Sequence, residues 1–345
     1  WDGQADIAQA LVRAVGDPEE RFVEDPLRLL RAARFVSQLG FRLDWRTEQA
    51  MARQSASLAR ISRERILAEL TLLLLGEYVD HGLDVLRRTG LLQAALPEIE
   101  PLAAEADANL VPRLGREKDL WDHTVRVVRQ APARPAVRWA ALLHDAGKPL
   151  TRSVALDGDV HFFGHERVGA ELAQSALGRL NADRALRTSV RTLVELHGRP
   201  AAYEPSWTDS AVRRLALDTG DAWDDLLDLA AADVTSGREH KRMAAAQRIA
   251  DLRARFVHLQ EQVALARLES PLDGNDLMRI FDRAPGPWIK EVKNYLRELV
   301  IDGTLAPDDR KGATQRARSL LAQEELPSPS SAGTMVKSEA DSSRR

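Results

Sequence analysis

Apolar residues recur at three- and four-residue spacing through most of this chain, with few stretches of strand-like alternation, so the pattern predicts an all-helical (all-α) protein. Asp25-Pro26 reads as a helix start, with Asp as N-cap and Pro at the first helical position; the helix runs from Leu27 to Leu39 and stops at Gly40. Its arginines Arg28, Arg31 and Arg34 form a slowly rotating stripe. Ser62 caps a second helix from Arg63 to Leu75, with Glu64, Ile66, Leu67, Leu70 and Leu74 in amphipathic order and Gly76 behind it. A third spans about His81 to Leu92, before Pro97 and Pro101 loosen the chain. Val125, Val127 and Val128 give the segment around His123 a buried face, and AVRWAALLHD at 136–145 reads as a buried helix with a polar pair at its end. Residues from about Arg238 to Leu268 form one long charged helix without the sustained heptads of a coiled coil. Ser270-Pro271 breaks it, and a short helix Gly274 to Phe281, a Pro285-Gly286-Pro287 turn and a helix Trp288 to Ile301 closed by Gly303 make a small appendage. From about Glu324 the chain turns to Ser, Pro, Ala and Glu, which cannot support a core and is expected to be disordered. No repeat recurs at a fixed period.

Composition narrows the chemistry. With 345 residues and 44% apolar content, two or three cored units are affordable. Zero cysteines exclude a disulfide framework and any thiolate metal site, so a metal would rest on His and carboxylate. The leucine run Leu72 to Leu75 is far too short to span a bilayer, and the expectation is a cytoplasmic protein with no membrane partner. A net charge of −3 brings no gross attraction to polyanions, yet 42 of the 49 basic residues are Arg, the side chain suited to bidentate phosphate contacts. High-GC coding accounts for that excess equally well.

His123, the adjacent His144 and Asp145, and Asp233 fall among apolar helical segments, with His165 and His197 between them. A lone histidine beside apolar residues is usually a satisfied core side chain, but that reading must here explain several at once. His144 and Asp145 lie about 100° apart around a helix, so both can reach one ion at its edge while His123 and Asp233 approach from other helices. Imidazole and carboxylate suit Mn, Fe, Co, Ni, Zn or Mg, and such an ion lowers the pKa of water toward neutrality, which favours phosphoester hydrolysis. Lys148, one turn past His144, is either an electrophile for phosphoryl oxygens or a cation complementing a helix C-terminus. His161 is weaker, because Val160 to Phe163 also reads as a packed turn.

This order of H, then HD, then a distant D, with HDAGK at 144–148 and GDVHFFGHE at 158–166, resembles the HD phosphohydrolase superfamily over roughly residues 113–240. The resemblance implies that His123, His144, Asp145 and Asp233 ligate a divalent ion, Asp145 and Lys148 act in catalysis, and His165 and His197 hold a second metal or the substrate phosphate.

A second resemblance begins nearer the start. RFVEDPLRLLRAARF at 21–35 resembles the neck of bacterial class II tRNA nucleotidyltransferases and poly(A) polymerases, whose E-D-x-x-R motif faces the incoming nucleotide; Glu24, Asp25 and Arg28 occupy those positions. A carboxylate accepts from the exocyclic amine of cytosine or adenine while a guanidinium donates to the neighbouring ring nitrogen, and guanine and uracil present the opposite pattern. The plain alternative is that Asp25 caps its helix and Glu24 pairs with Arg28. The flanks add weight: Trp1-Asp2-Gly3 through Asp6-Ile7, ISRERILAEL at 61–70, SPLDGNDLM at 270–278 and the following PGPWIKEVKNYL all resemble the same family, up to about residue 320. The resemblance implies a neck and body at 1–112, an HD domain at 113–240, a helical tail at 241–323 and a disordered end at 324–345, with tRNA, CTP and ATP (with Mg) as partners of the parent enzyme and Arg31 and Arg34 as RNA contacts. Members carry a catalytic head with a Gly-Ser motif and a carboxylate pair. No D-x-D stands on a predicted strand here, and Asp157-Gly158-Asp159 sits in a turn, so the expectation is a headless portion that hydrolyses phosphomonoesters or 2′,3′-cyclic phosphates. The alternatives are a freestanding HD phosphohydrolase acting on nucleotides and a non-catalytic RNA-binding remnant.

Overall fold

The computed structural model describes residues 3–108, 119–155, 159–235, 237–262 and 269–324. The chain divides into two compact units, residues 1–257 and 258–345. Among the described residues the structure is helical, apart from two strand pairs of two residues per strand. No helix among them is long and apolar enough to cross a membrane.

The first unit opens with α1 (Gly3–Ala8), β1 (Leu11–Val12) and α2 (Pro18–Glu24). Asp17 accepts from the Glu19 amide at 2.8 Å and Pro18 takes the first helical position, so the strongest start signal in this region belongs to a helix that the Asp25-Pro26 reading overlooked. Asp25 ends α2, yet its side chain still accepts from the Leu27 amide at 3.1 Å and steadies the start of α3 (Leu27–Leu39). β2 (Arg42–Leu43) pairs in parallel with β1. Then follow α4 (Trp45–Gln54), α5 (Arg63–Leu74), α6 (Val79–Arg88), α7 (Leu91–Ala95) and α8 (Glu100–Ala108). The single helix expected over His81 to Leu92 is two, because Gly90 takes a left-handed φ of +70° that ends one and starts the next. Ser62 stands at the N-cap of α5, but its side chain makes no capping bond.

Packing follows the apolar stripes. Leu29, Leu30 and Ala33 of α3 meet Leu70 and Leu73 of α5 and Leu83 and Leu86 of α6 in a buried layer, where each enclosed leucine contributes about 2 kcal/mol. Glu69 of α5, 7% exposed, is pinned between Arg31 and Arg34 of α3, each 3.2 Å away.

The rest of the unit comprises α9 (Leu120–Gln130), α10 (Pro135–Leu143), α11 (Lys148–Thr151), the antiparallel pair β3 (Ser153–Val154) and β4 (Val160–His161), α12 (His165–Arg179), α13 (Arg184–Leu196), α14 (Gly198–Ala201), α15 (Asp209–Thr219), α16 (Trp223–Ala232) and, as far as Val257, α17 (Glu239–Gln262). Helix α10 is the hub: it packs on α9, α12, α13 and α16, and its side chains are buried from Val137 to Leu143. It also docks on α5, with the Trp139 indole donating to Thr71 Oγ1 at 3.0 Å and buried Arg138 donating to the Leu74 carbonyl at 3.2 Å, where a helix C-terminus needs a donor. Val160 and His161 pair with Ser153 and Val154, so the packed turn considered there is a short hairpin arm. Leu156, Asp157 and Gly158 lie outside the described residues, as do Trp1, Asp2 and Arg113.

In the second unit, α18 (Gly274–Phe281) starts with a reciprocal Asp273/Asp276 capping box, and α19 (Pro287–Ile301) buries Trp288, Val292, Leu296 and Val300. α20 (Arg310–Glu324), absent from the sequence-based elements, ties back through an Arg310–Asp276 ion pair at 2.6 Å. Of the expected disordered end at 324–345, Glu324 is the last residue of α20 and 325–345 lie outside the described residues.

Candidate metal centre

The sequence puts each polar residue of this centre at the end of an apolar helix or one turn inside it. His123 lies in the first turns of α9, which Asp119 caps by accepting from the Asp122 amide at 2.9 Å. His144 and Asp145 follow the last turn of α10, His165 opens α12, His197 follows α13, and Asp233 follows α16. Helix ends supply the rigidity, and the turns after them free the side chains to converge.

They converge on Asp145, whose carboxylate is 1% exposed. Its Oδ2 accepts from Lys148 Nζ at 2.7 Å and lies 3.2 Å from His144 Nε2 and 3.5 Å from His123 Nε2. Its Oδ1 faces His165 Nε2 at 3.6 Å and His197 Nε2 at 4.0 Å, and it is a buried oxygen with no hydrogen-bond partner. Asp233 Oδ1 stands 3.0 Å from His123 Nε2 and 3.6 Å from His144 Nε2. Two three-residue groups result, His123/His144/Asp233 and Asp145/His165/His197, each with its donor atoms within 4.8 Å of one another.

The second nitrogen of every ring is already engaged. His144, His165 and His197 give Nδ1 to the carbonyls of Ala141, Phe162 and Val194 at 2.7–2.8 Å, and His123 Nδ1 meets Thr235 Oγ1 at 2.9 Å. That pattern turns four Nε2 atoms inward, as in histidine ligation. Gly147 keeps the wall thin: a Cβ there would fall 2.2 Å from the His165 carbonyl oxygen, so α11 and α12 approach this closely only because residue 147 has no side chain.

Electrostatics shows what the cluster lacks. Burial disfavours charge on His144, but Asp145 beside it and Asp233 beyond reverse the sign and lift its pKa to about 9. Burial and the neighbouring His144 cation push His197 down to about 4. Burial works against ionisation of Asp233, yet the hydrogen bond from His123 and the His144 charge bring it to about 2; Asp145, opposed by burial in the same way, is held well below the carboxylate range chiefly by His144. Two ionised carboxylates thus share the positive charge of His144 and Lys148, with one buried oxygen unmatched. A divalent cation fits that donor set in charge and in ligand type, and in displacing the His144 proton it would find inward-facing Nε2 atoms to bind.

Beside His123 opens a hollow of about 440 Å³ lined by Asp119, Asp122, Arg126, Thr235, Gly237 and Arg238. Thr235 is the residue that sequence reasoning missed, because a lone threonine after the final aspartate carries no chemical signature.

Known proteins place this centre in context. Over 337 residues the chain is 32% identical to the A-adding tRNA nucleotidyltransferase of Deinococcus radiodurans, covering 91% of this chain and 73% of that protein. This chain belongs to the tRNA nucleotidyltransferase family. It is also 32% identical over 316 residues to the CC-adding tRNA nucleotidyltransferase of Thermus thermophilus, spanning 67% of that relative's length. Within the family member, residues 40–102 match the profile described as the probable RNA and SrmB-binding site of polymerase A, and residues 120–257 match the HD domain. A solved CCA-adding enzyme of Bacillus stearothermophilus, in complex with CTP, shares the fold with a TM-score of 0.64 at 22% identity, over 94% of this chain and 69% of that one.

The segment around Glu24, Asp25 and Arg28, the expected neck, looks different from the candidate metal centre. Glu24 accepts from Arg28 at 2.7 Å and from Arg21 at 2.8 Å, which holds its pKa low, and Arg65 approaches Asp25 Oδ2 at 3.5 Å. Arg28 also donates to the Arg21 carbonyl at 3.1 Å and lines a hollow of about 430 Å³ with Arg31, Phe22, Phe35 and Val15. The geometry brings Glu24 and Arg28 together; Asp25 meets the α3 start and Arg65 instead. Arg31 and Arg34 engage Glu69, as described above.

Proposed function

We propose that residues 120–257 hydrolyse phosphoesters at a divalent-metal centre held by His123, His144, Asp145 and Asp233, with His165 and His197 serving a second ion. The observation that carries this reading is the convergence of four Nε2 atoms on a buried aspartate whose Oδ1, facing His165 and His197, has no partner. Ions of the Mn, Fe, Co, Ni, Zn or Mg type would supply Lewis acidity and lower the pKa of water near the reacting phosphorus. Asp145 then presents one oxygen to each histidine group and orders the two halves of the site. Lys148, 20% exposed and anchored on Asp145, stands at the edge with its ammonium over the Phe162 ring, where it can meet phosphoryl oxygens as negative charge builds on them. Buried walls from α10 and α13 exclude bulk water and strengthen those interactions. Phosphomonoesters and 2′,3′-cyclic phosphates at RNA ends suit such a site.

The helices before residue 112 complete the reading. Glu24, Asp25 and Arg28 select cytosine and adenine in CTP and ATP, delivered with Mg, and the body holds tRNA for synthesis of the CCA end. Support comes from relatives that add A or CC to tRNA and from the CTP-bound CCA-adding enzyme of the same fold. The exposed position of Arg28 beside a hollow with an aromatic wall is compatible with a base lying there.

The test is turnover of a nucleoside 2′,3′-cyclic phosphate and of a phosphomonoester by the chain stripped of metal and then resupplied with Mn, Ni, Co or Mg, beside Asp145→Ala. Metal-dependent turnover lost in the variant supports the hydrolase. Turnover of neither ester with any metal, alongside salt-sensitive tRNA binding, would favour an RNA-binding role for the whole chain.

A further inference from the structure

His123 is held differently from the other three histidines. His144, His165 and His197 each lean on a carbonyl three residues back in their own chain, so one local turn of backbone fixes each ring. His123 lies inside α9, where the nearby Leu120 carbonyl is occupied by Thr124 Oγ1 at 2.9 Å. Its Nδ1 reaches instead to the Thr235 hydroxyl at 2.9 Å, 112 residues away and two past Asp233. The same short turn therefore carries one carboxylate of the His123 group and the anchor of its histidine.

We infer that Thr235 is a positioning residue for one of the two ion positions: it builds the His123/His144/Asp233 group and has no part in the Asp145/His165/His197 group. The inference rests on the metal-centre reading above. When His123 Nε2 offers its lone pair to a cation, the ring proton sits on Nδ1 and the Thr235 oxygen accepts it. Without that acceptor the ring is free to turn and the proton can move to the inward nitrogen, where it competes with the ion. Packing does not replace the anchor, because Asp233 is 27% exposed and His123 and Thr235 both line the open hollow of about 440 Å³. In the other group His165 is 16% exposed, but His197 is 5% and Asp145 1% exposed and both histidine rings are fixed by backbone carbonyls. The two positions accordingly depend on different parts of the chain, and only one depends on the turn that leads into α17.

The experiment is calorimetric titration of the metal-stripped full chain with Mn(II), comparing the natural protein, Thr235→Val and Thr235→Ser, with the melting temperature of each metal-free protein as control. Valine keeps the shape of threonine and removes the acceptor; serine restores it. The expected result is that one class of site weakens about 10- to 100-fold in Thr235→Val, the range for loss of a histidine's outer hydrogen bond, while the other is unchanged. Thr235→Ser returns the first class toward its natural affinity, and the metal-free melting temperatures agree. Equal weakening of both classes, unchanged binding in Thr235→Val, or no recovery with serine overturns the inference and leaves the metal centre standing. If the natural chain takes up no Mn(II), the metal-centre reading fails and this inference falls with it.

Discussion

The neck segment around Glu24 and Arg28 and the candidate metal centre are both clusters of charged residues, yet they sit at opposite ends of one physical scale. In the neck, Glu24 and Arg28 are 48% and 39% exposed and answer each other directly, and Asp25 is satisfied by a helix start and Arg65. In the centre, Asp145 and His144 are each 1% exposed, one aspartate oxygen is unmatched, and neighbouring histidines are driven to about 9 and about 4. Exposed ion pairs add little to stability and ask for no ligand. A buried carboxylate oxygen without a donor costs folding free energy until something positive reaches it. The buried centre is therefore energetically poised for a cation, whereas the ion pairs of the neck segment satisfy one another.

The largest expected effect lies at the hinge of that contrast. Asp145→Ala should reduce hydrolysis to background and abolish ion uptake while circular dichroism still reports a helical fold; full activity in that variant would remove the distinction between the two regions. Gly147→Ala comes next, because its new Cβ would meet the His165 carbonyl oxygen at 2.2 Å and the Gly169 nitrogen at 2.7 Å. Forcing α11 from α12 should cost about 1–3 kcal/mol in urea unfolding and weaken ion binding on the His165 side.

The two buried histidines give the metal-free protein a definite pH profile. His144, raised from 6.5 to about 9, contributes stability that is complete below pH 6.5 and disappears as pH rises through about 9. His197, lowered from 6.5 to about 4, behaves oppositely: the unfolded chain binds the extra proton between those values, so stability climbs from pH 4 to 6.5. Melting temperatures of the stripped protein should peak near pH 6.5. Bound metal should flatten the alkaline side, because ion binding at neutral pH displaces the His144 proton and releases it to buffer. Calorimetry in buffers of different ionisation enthalpy reads that release directly, and its absence would mean that the His144 proton is not displaced by the ion.

Smaller effects probe the neck and body. Glu69→Ala leaves Arg34, 18% exposed, without its carboxylate and should cost about 1–2 kcal/mol in urea unfolding, because α3 and α5 lose their shared anchor. Arg28→Ala should leave the melting temperature unchanged and instead blur the preference for CTP and ATP over UTP and GTP in nucleotide binding. Unchanged selectivity would make Arg28 a surface ion pair and no more.

How much of this was readable in the chain follows the same physics. His123, His144, Asp145 and Asp233 stood out because apolar helical segments rarely carry such residues together, and the i,i+3 relation of Asp145 to Lys148 is visible in the spacing. The division of Asp145 into one oxygen for each histidine group was not, because residues 145, 165 and 197 lie after or at the start of three different helices and meet only through tertiary packing. Thr235 gave no signal for the same reason. In the neck the Asp25-Pro26 signal masked the stronger Asp17-Pro18 start a few residues earlier, and one apolar stripe carried the third helix straight through Gly90. Strands of two residues are too short to show a period of two, so both strand pairs emerged only from the fold.

The most direct measurement is anomalous diffraction from crystals of the full chain soaked in Mn(II). The account expects two strong peaks flanking Asp145, one within bonding reach of His123, His144 and Asp233 and the other within reach of His165, His197 and Asp145 Oδ1. An electron-density map with no anomalous peak there, and with Asp145 Oδ1 hydrogen-bonded to a buried water or a protein donor, would contradict it.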